Sequence, residues 1–261
     1  MGGVRTVSEL TSASPRPRSR PAPALQRVLA HGRYETRNTL RNGEQLLVTL
    51  ILPLLVLIGV HRLDLISSAT GGIDALVPGV LALAVMASAF TGQGIATGFD
   101  RQYGVLAYLA TTPLGPTGLI LGKAVAVLSV IMVQLVVLGA AGLTLGWSPD
   151  PLGLVWLLAV LVLGAAAFTA LGLLLAGTVR AEATLAVTNV AWVLLGAAGG
   201  TIFALDHQGP GVLLLLLPSA ALGEAARAAA ADGVFAVVPV LILASWAVLA
   251  LLAARRWFRW R

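Results

Sequence analysis

The chain has no cysteine and few charged residues. Without cysteine it can form neither disulfide bonds nor thiolate metal sites. Charged residues make up 11% of the 261 residues, whereas they make up about a quarter of an ordinary soluble domain. This scarcity of charge sets the sequence apart from soluble proteins and directs attention to its apolar runs.

Residues and motifs for chemistry are also scarce. No GxxxxGK[ST] nucleotide loop occurs, and His31, His61 and His207 lie far apart without a metal-like spacing. We therefore expect no catalytic residue, no metal site and no cofactor bound by this chain. No ionisable residue lies in the middle of a long apolar run, which argues against a proton- or ion-coupled carrier. An intramembrane enzyme is disfavoured because no convergent catalytic groups can be named.

Long apolar runs recur after Gln45. Hydrophobic residues make up 58% of the chain, and the mean hydropathy is +0.92. A hydrocarbon core of about 30 Å needs about 20 apolar residues per helix, and the continuous Leu-, Val- and Ala-rich runs favour a helical bundle over a barrel. Pro53 is expected to kink the first span. The predicted fold is an all-α polytopic membrane protein with six transmembrane helices, at about 46–64, 76–97, 119–146, 152–176, 184–205 and 234–254.

Two segments precede the spans. Residues 1–24 are rich in Arg, Pro, Ser and Ala with little apolar surface, so we expect a disordered basic tail. Over 25–45 apolar residues recur on one side of a helix, and Arg33, Arg37 and Arg41 follow an adjacent stripe. This pattern predicts an amphipathic helix in the membrane interface, with the arginines as membrane-surface anchors. A solvated cytosolic helix is the alternative.

The distribution of Lys and Arg predicts the orientation. With the N-terminus inside, fifteen of the seventeen Lys and Arg residues fall in cytoplasmic segments, and only Arg62 and Arg227 fall outside. The positive-inside rule would hardly produce this asymmetry in the reverse orientation. With six spans, both termini and the loop over 99–123 are therefore expected to face the cytoplasm.

Residues 206–233 are apolar enough to enter the bilayer but contain Pro218, Glu224 and Arg227. A seventh span here would send the basic C-terminus outside, against the positive-inside rule. We therefore predict a re-entrant segment before the last span, made of two short helices that turn near Pro218. Glu224 and Arg227 are three residues apart and are expected to pair on the second helix.

The chain ends in interleaved cationic and aromatic residues over 255–261. Trp257 and Trp260 are of the residue type that anchors a span at the membrane surface. The net charge of +6 gathers at the two ends and beside the spans. Membrane lipids with anionic headgroups are therefore the expected partners of these charges, and nucleic acid is not.

The loop after the second predicted span carries a specific pattern. An acidic or aromatic approach leads to Arg, then Gly, an apolar turn, a Thr-Pro-Leu element and a Gly-Lys pair that opens the next span. The positions are Phe99, Asp100, Arg101, Gln102, Tyr103, Gly104, Leu106, Leu109, Thr112, Pro113, Leu114, Gly122 and Lys123. With its apolar flanks, this pattern resembles the permease subunit of ABC transporters of the type-2 export class. The resemblance covers most of the chain after Leu25.

The resemblance implies that about 98–112 form a cytoplasmic coupling helix that docks on a separate ATP-binding subunit. The physical pattern agrees, because Phe99 and Tyr103 begin an apolar stripe that continues through Leu106 and Ala110 on one helical face. The alternative is that these residues pack against the bundle itself. The expected interface residues are Phe99, Asp100, Arg101, Gln102, Tyr103, Gly104, Leu106 and Ala107.

Two positions of the pattern leave alternatives open. Where the family often has Glu after the Arg, this chain has Gln102, so a charged contact there is in doubt and Asp100 can substitute for it. Lys123 can extend to a lipid phosphate or contact the ATP-binding subunit. The resemblance also makes 25–45 a connecting helix and 46–261 a six-helix permease domain.

The family suggests that a translocation path lies at the interface between two permeases, lined by spans two and five. Thr91, Gln93, Thr188 and Asn189 are the candidate lining residues. Polar residues in spans are more often hydrogen-bond partners between helices than substrate ligands, so that interpretation competes with the first.

The function implied is that of a permease in a bacterial plasma membrane. It would pair with a second permease, identical or not, and with ATP-binding subunits that hold ATP and Mg²⁺. The cargo would be a hydrophobic or amphipathic molecule, such as a drug, an antibiotic or a lipid, moved outward. Export of haem or of a lipid-linked glycan is an alternative, and so is a membrane scaffold or sensor that works without ATP.

Overall fold

The computed structural model describes residues 22–63, 72–205 and 209–258. Most of the predicted tail over 1–24 and the predicted anchor Trp260 therefore lie outside the described residues. Within the described ranges the regular structure is helical and contains no strand, which confirms the predicted all-α class.

Nine α-helices are described, together with a 3₁₀ helix at Gly209–Leu216. The α-helices are α1 (Ala24–Arg41), α2 (Gly43–Arg62), α3 (Ile73–Gln102), α4 (Val105–Ala110), α5 (Gly115–Thr144), α6 (Pro151–Thr178), α7 (Ala181–Ala198), α8 (Pro218–Asp232) and α9 (Val237–Trp257).

Five of the described helices, α2, α3, α5, α6 and α9, are long and apolar enough to cross a membrane. The predicted span at 184–205 corresponds to α7, which is apolar but ends at Ala198. The predicted boundary was wrong because Gly199 and Gly200 follow, and Gly200 adopts φ 73°, which ends the helix. With 18 residues, α7 is about 27 Å long, so a sixth span stays a prediction.

Helix α3 forms the centre of the bundle. Its most apolar stretch is 83% buried, whereas the corresponding stretches of α2 and α9 are 17% buried. It contacts α2, α5, α6, α7 and α8. Glycines allow these close approaches, since a Cβ on Gly94 would lie 3.4 Å from the Cα of Gly172 in α6. A helix that is apolar on all sides is the element expected at such a centre.

Helix α2 is distorted where the sequence predicted a kink. A π-helical segment, Leu47–Ile51, directly precedes the turn that contains Pro53. Proline lacks an N–H, so the carbonyl four residues earlier, that of Thr49, loses its usual helical donor. The buried side chain of Gln134 in α5 donates to that carbonyl at 2.8 Å and to the Ala84 carbonyl of α3 at 3.0 Å. One amide therefore joins three helices at a backbone irregularity.

The segment before α9 contains two helices, as predicted. The 3₁₀ helix and α8 meet at Leu217, and Pro218 begins α8. The predicted pair is confirmed, because the Arg227 guanidinium lies 2.7 Å from the Glu224 carboxylate. Arg227 also donates to the carbonyls of Gly200 and Thr201, just beyond the end of α7. Whether this segment enters the bilayer stays a prediction.

Candidate functional site

The loop expected to be one coupling helix over 98–112 is two helices. Helix α3 continues to Gln102, and α4 begins at Val105. Between them Gly104 adopts the left-handed conformation, with φ 73°, and its N–H donates to the Arg101 carbonyl. A glycine in this conformation is a common helix terminator, so the continuous helix was a wrong prediction. We call the segment from Phe99 to Leu114 the α3–α5 loop.

The break at Gly104 changes which side chains face outward. Tyr103 is 74% exposed and Tyr108 is 71% exposed, whereas Leu106 is completely buried. The expected exposed apolar stripe therefore does not include Leu106, which lies on the buried side of α4. Tyr108 was not among the predicted interface residues. It is part of the exposed surface because a new helix begins after Gly104.

The remaining predicted interface residues are distributed along the same loop. Phe99 is partly buried, and its ring stacks on that of Tyr103 with centroids 6.0 Å apart. Gly104 is exposed and Ala107 is half-buried. The two exposed rings of this surface are those of Tyr103 and Tyr108, and Gly104 and Ala107 lie between them in sequence.

Two polar residues of the α3–α5 loop tie it to the start of α7. Arg101 donates to the Val179 carbonyl, and the Gln102 amide donates to the Glu182 carboxylate at 2.9 Å. The pKa of Glu182 lies below its usual value because its own backbone N–H, and then the Gln102 amide, hydrogen-bond the carboxylate. A Glu at position 102 would instead bring two carboxylates together. Gln102, which stands where the family often has Glu, thus has Glu182 as its hydrogen-bond partner.

Asp100 turns inward to a buried acid–base cluster. The Lys123 Nζ lies 3.0 Å from the Asp100 Oδ2 and 3.4 Å from the Glu35 Oε1, and the Lys123 side chain is 3% exposed. His31 Nε2 lies 3.5 Å from the same Glu35 oxygen. These four residues, the acid–base cluster, join α1, α3 and α5. Lys123 therefore does not extend to a lipid phosphate, and Glu35 and His31 are partners that the sequence interpretation missed.

Burial shifts the pKa of His31 below its ordinary value of 6.5. Desolvation of the ring is the main cause; the Glu35 carboxylate opposes it, while the Lys123 ammonium adds to the lowering. A neutral imidazole is thus favoured beside a lysine that already has two carboxylate partners. The cluster thus combines a lysine, two carboxyl groups and an imidazole whose pKa is lowered by its surroundings.

Close packing places α1 in this position. A Cβ on Gly32 would lie 2.7 Å from the Val125 Cγ1, and one on Gly122 would lie 2.3 Å from the His31 ring. Only glycines allow these two helices to approach so closely. The Arg27 guanidinium also donates to the Pro113 carbonyl at the end of the α3–α5 loop. Helix α1 therefore packs against the bundle near the α3–α5 loop. It ends at Arg41 rather than at the predicted position 45.

Residues 22–255 match the model of the protein family described as ABC-2 family transporter protein. The chain belongs to the ABC-2 transporter family. Family membership confirms the resemblance seen in the sequence, and it makes this ABC-2 protein a multi-pass membrane component of a transporter. Proteins of this family generally work with an ATP-binding subunit. No curated protein matches the chain.

The candidate path residues of the ABC-2 protein lie inside the protomer. Thr91 and Gln93 are each 4% exposed, Thr188 is fully buried, and Asn189 is half-buried. The structure brings α3 and α7 together, since a Cβ on Gly94 would lie 3.2 Å from the Thr188 methyl. Within the described part of the chain, the Thr91 hydroxyl and the Gln93 carbonyl oxygen have no hydrogen-bond partner. Their role as lining residues stays a prediction.

The predicted membrane-surface anchors are exposed where they are described. Arg33, Arg37 and Arg41 lie along one side of α1, and Trp257 is 57% exposed at the end of α9. Among the described residues, no group of three or more His, Cys, Asp or Glu side chains could hold a metal ion.

Proposed function

We propose that this ABC-2 protein is the permease subunit of a bacterial exporter that moves a hydrophobic or amphipathic molecule outward, such as a drug, an antibiotic or a lipid. A separate subunit would bind and hydrolyse ATP with Mg²⁺. The low content of charge and the apolar spans support a hydrophobic cargo, because few polar groups are available to bind a charged one.

The exposed aromatic pair on the α3–α5 loop carries this proposal. Tyr103 and Tyr108 together offer two large rings to a partner, and tyrosine is a residue type that dominates binding energy at protein interfaces. The loop lies between two long apolar helices, which would place it just outside the membrane. An ATP-binding subunit whose groove accepts both rings would hold the permease by this surface.

The contacts beneath the loop support a mechanical role. Arg101 and Gln102 connect the end of α3 to the start of α7, and Asp100 connects it through Lys123 to α1. A displacement of the loop by the motor would therefore move the ends of several helices together. Leu106 would transmit the same displacement by packing rather than by contact with the motor.

A second permease, identical or different, would complete the transporter. Motor-driven movement would rearrange α3 and α7 and open a path between the two permeases, exposing Thr91, Gln93, Thr188 and Asn189 to the cargo. Both termini and the α3–α5 loop would face the cytoplasm, with the protein in the bacterial plasma membrane. The positive-inside count supports this orientation.

Gentle solubilisation followed by affinity purification of the chain from its native host tests the proposal. The expected result is co-purification of an ATP-binding subunit, with ATP-dependent movement of an apolar fluorescent dye after reconstitution of the complex into vesicles. A purified chain that carries no ATP-binding subunit would support the scaffold or sensor alternative instead. An intact complex that moves haem or a lipid-linked glycan, but not the dye, would support the other alternative.

A further inference from the structure

A groove of about 480 Å³ runs between α1 and α5, on the side of α1 that carries its arginines. Its wall on α5 contains Val125 and Ser129. We call it the arginine groove; its other main lining residues are Arg33, Arg37, Leu40 and Arg41. The groove combines a cationic edge with an apolar floor.

The cationic edge is not neutralised by the protein. Arg33, Arg37 and Arg41 recur every four residues, so they follow one edge of α1 at intervals of about 6 Å. Among residues 22–63, 72–205 and 209–258, no salt bridge involves any of them. The neighbouring acid of α1, Glu35, is directed into the acid–base cluster with Lys123. The three guanidinium groups are therefore available to an external anion.

The floor of the groove offers apolar surface. The Thr36 hydroxyl donates to the Gly32 carbonyl at 2.8 Å, and the Ser129 hydroxyl donates to the Val125 carbonyl at 2.9 Å. Both hydroxyls are thus satisfied by their own helices, and they present their carbon atoms to the groove. Helices α1 and α5 are in close contact at Gly32 and Val125, and the groove beside this contact is open on its outer side.

We propose that the arginine groove binds an anionic phospholipid from the cytoplasmic leaflet. The phosphate of the headgroup would contact the guanidinium groups, and one acyl chain would lie on the floor formed by Leu40, Val125 and Ser129. Arginine suits phosphate because its planar group donates two parallel hydrogen bonds. An apolar floor adds nothing to the binding of a free phosphate ion, so the combination selects a lipid.

This site lies on the helix that holds the acid–base cluster. Glu35 faces the cluster from α1, and Arg33 and Arg37 flank it in sequence on the groove side. A bound lipid would contact both α1 and α5, because both helices line the groove, and it would stabilise their contact at Gly32. The proposal concerns the permease alone and does not depend on an ATP-binding subunit, so its test can fail or succeed independently of the proposed function.

Native mass spectrometry of the purified full-length chain tests the site. The protein is mixed with equal amounts of dioleoyl phosphatidylglycerol, which is anionic, and dioleoyl phosphatidylcholine, which is neutral overall. We expect the protein to retain about tenfold more of the anionic lipid than of the neutral one. Each arginine near an anionic lipid contributes about fivefold in affinity, and competition with water removes part of the combined effect. Equal retention of the two lipids would overturn the proposal.

Matched variants separate the groove from charge in general. Arg33→Gln, Arg37→Gln and Arg41→Gln together should abolish the preference, whereas replacement of the same three residues by Lys should keep most of it. The control removes two exposed charges that do not line the groove and lie away from the chain ends, by Arg62→Gln and Arg180→Gln. Loss of the preference in the control to the same extent would show a diffuse charge effect and contradict the site.

Two further measurements examine the apolar floor. Ser129→Trp fills the groove without a change of charge and should reduce retention of the anionic lipid by about fivefold. Inorganic phosphate at millimolar concentration should compete weakly with the lipid. Unchanged retention in Ser129→Trp, or displacement of the lipid by phosphate alone, would show that no acyl chain occupies the groove. Thermal unfolding of each variant confirms that it is folded before lipid retention is compared.

Discussion

The Nζ of Lys123, on a side chain that is only 3% exposed, lies 3.0 Å from the Asp100 Oδ2. This contact joins the third turn of α5 to the last turn of α3, immediately before the surface that carries the exposed tyrosines. Glu35 of α1 supplies a second carboxylate near the Lys123 Nζ. The base of the proposed docking surface is thus held by charges rather than by apolar packing alone.

Removal of the lysine should be destabilising. Lys123→Met leaves the Asp100 and Glu35 carboxylates without their cation, at an expected loss of about 2 kcal/mol in the free energy of unfolding; this is below the value for a fully buried pair because water screens part of the repulsion. Thermal or denaturant unfolding in detergent measures the effect.

Neutralisation of all three charges is the control for this prediction. A variant with Glu35→Gln, Asp100→Asn and Lys123→Met should recover part of the lost stability, because no unpaired charge remains in it. If Lys123→Met alone unfolds at the temperature of the unchanged protein, the contact does not stabilise the structure.

His31 should make stability depend on pH. Its pKa is lowered in the folded protein, so the folded state binds the proton less well than the unfolded state does. Its contribution to stability is therefore complete above the ordinary pKa of 6.5 and is lost as the pH falls below that value. Melting temperatures at pH 8 and pH 5.5 should differ more for the unchanged protein than for His31→Gln. The same pH dependence in both proteins would contradict this assignment.

Gln102→Glu should loosen the contact between α3 and α7. The new carboxylate would face Glu182, whose pKa should rise, and the repulsion should be present above the pKa of both acids and decrease in high salt. Gln102→Ala removes the hydrogen bond without adding a charge and serves as the control. The double variant Gln102→Glu, Glu182→Gln should restore the contact. Equal melting temperatures for Gln102→Glu and Gln102→Ala would show that repulsion is absent.

The exposed aromatic pair should determine binding of the motor. Tyr103→Ala with Tyr108→Ala is expected to weaken binding of the ATP-binding subunit by about tenfold or more, as truncation of interface tyrosines often does. Tyr34→Ala is the matched control, since Tyr34 is 67% exposed but lies on α1. Thermal unfolding of both variants checks that each permease is folded before binding is compared. Retention of the subunit by the double variant would show that it docks elsewhere.

The sequence was sufficient to predict the elements whose signal is local and repeated. Apolar runs predicted the long helices to within a few residues, and the arginine spacing predicted that α1 is an amphipathic helix. The pairing of Glu224 with Arg227 was also predictable, because residues three apart on a helix are neighbours. In each case the information lies within one helix.

Features that depend on contacts between distant segments were not predictable. Lys123 pairs with a residue 88 positions away and another 23 positions away, and neither spacing has a sequence signature. Gly104 is evident in the sequence, but the helical periodicity continues through it to Leu106 and Ala110 and favours one continuous helix. The early end of α7 at Ala198 likewise depends on two glycines within an apolar run that otherwise continues.

Labelling of a single cysteine at position 103 tests the central claim most directly, because the natural chain contains no cysteine. Tyr103→Cys is treated with a membrane-impermeant maleimide in sealed vesicles of each orientation, with Ser148→Cys as the control expected on the opposite face. We predict that Tyr103→Cys is labelled only from the cytoplasmic side, and that added ATP-binding subunit blocks the labelling. Labelling from the outer face alone, or labelling unaffected by the bound subunit, would contradict the account.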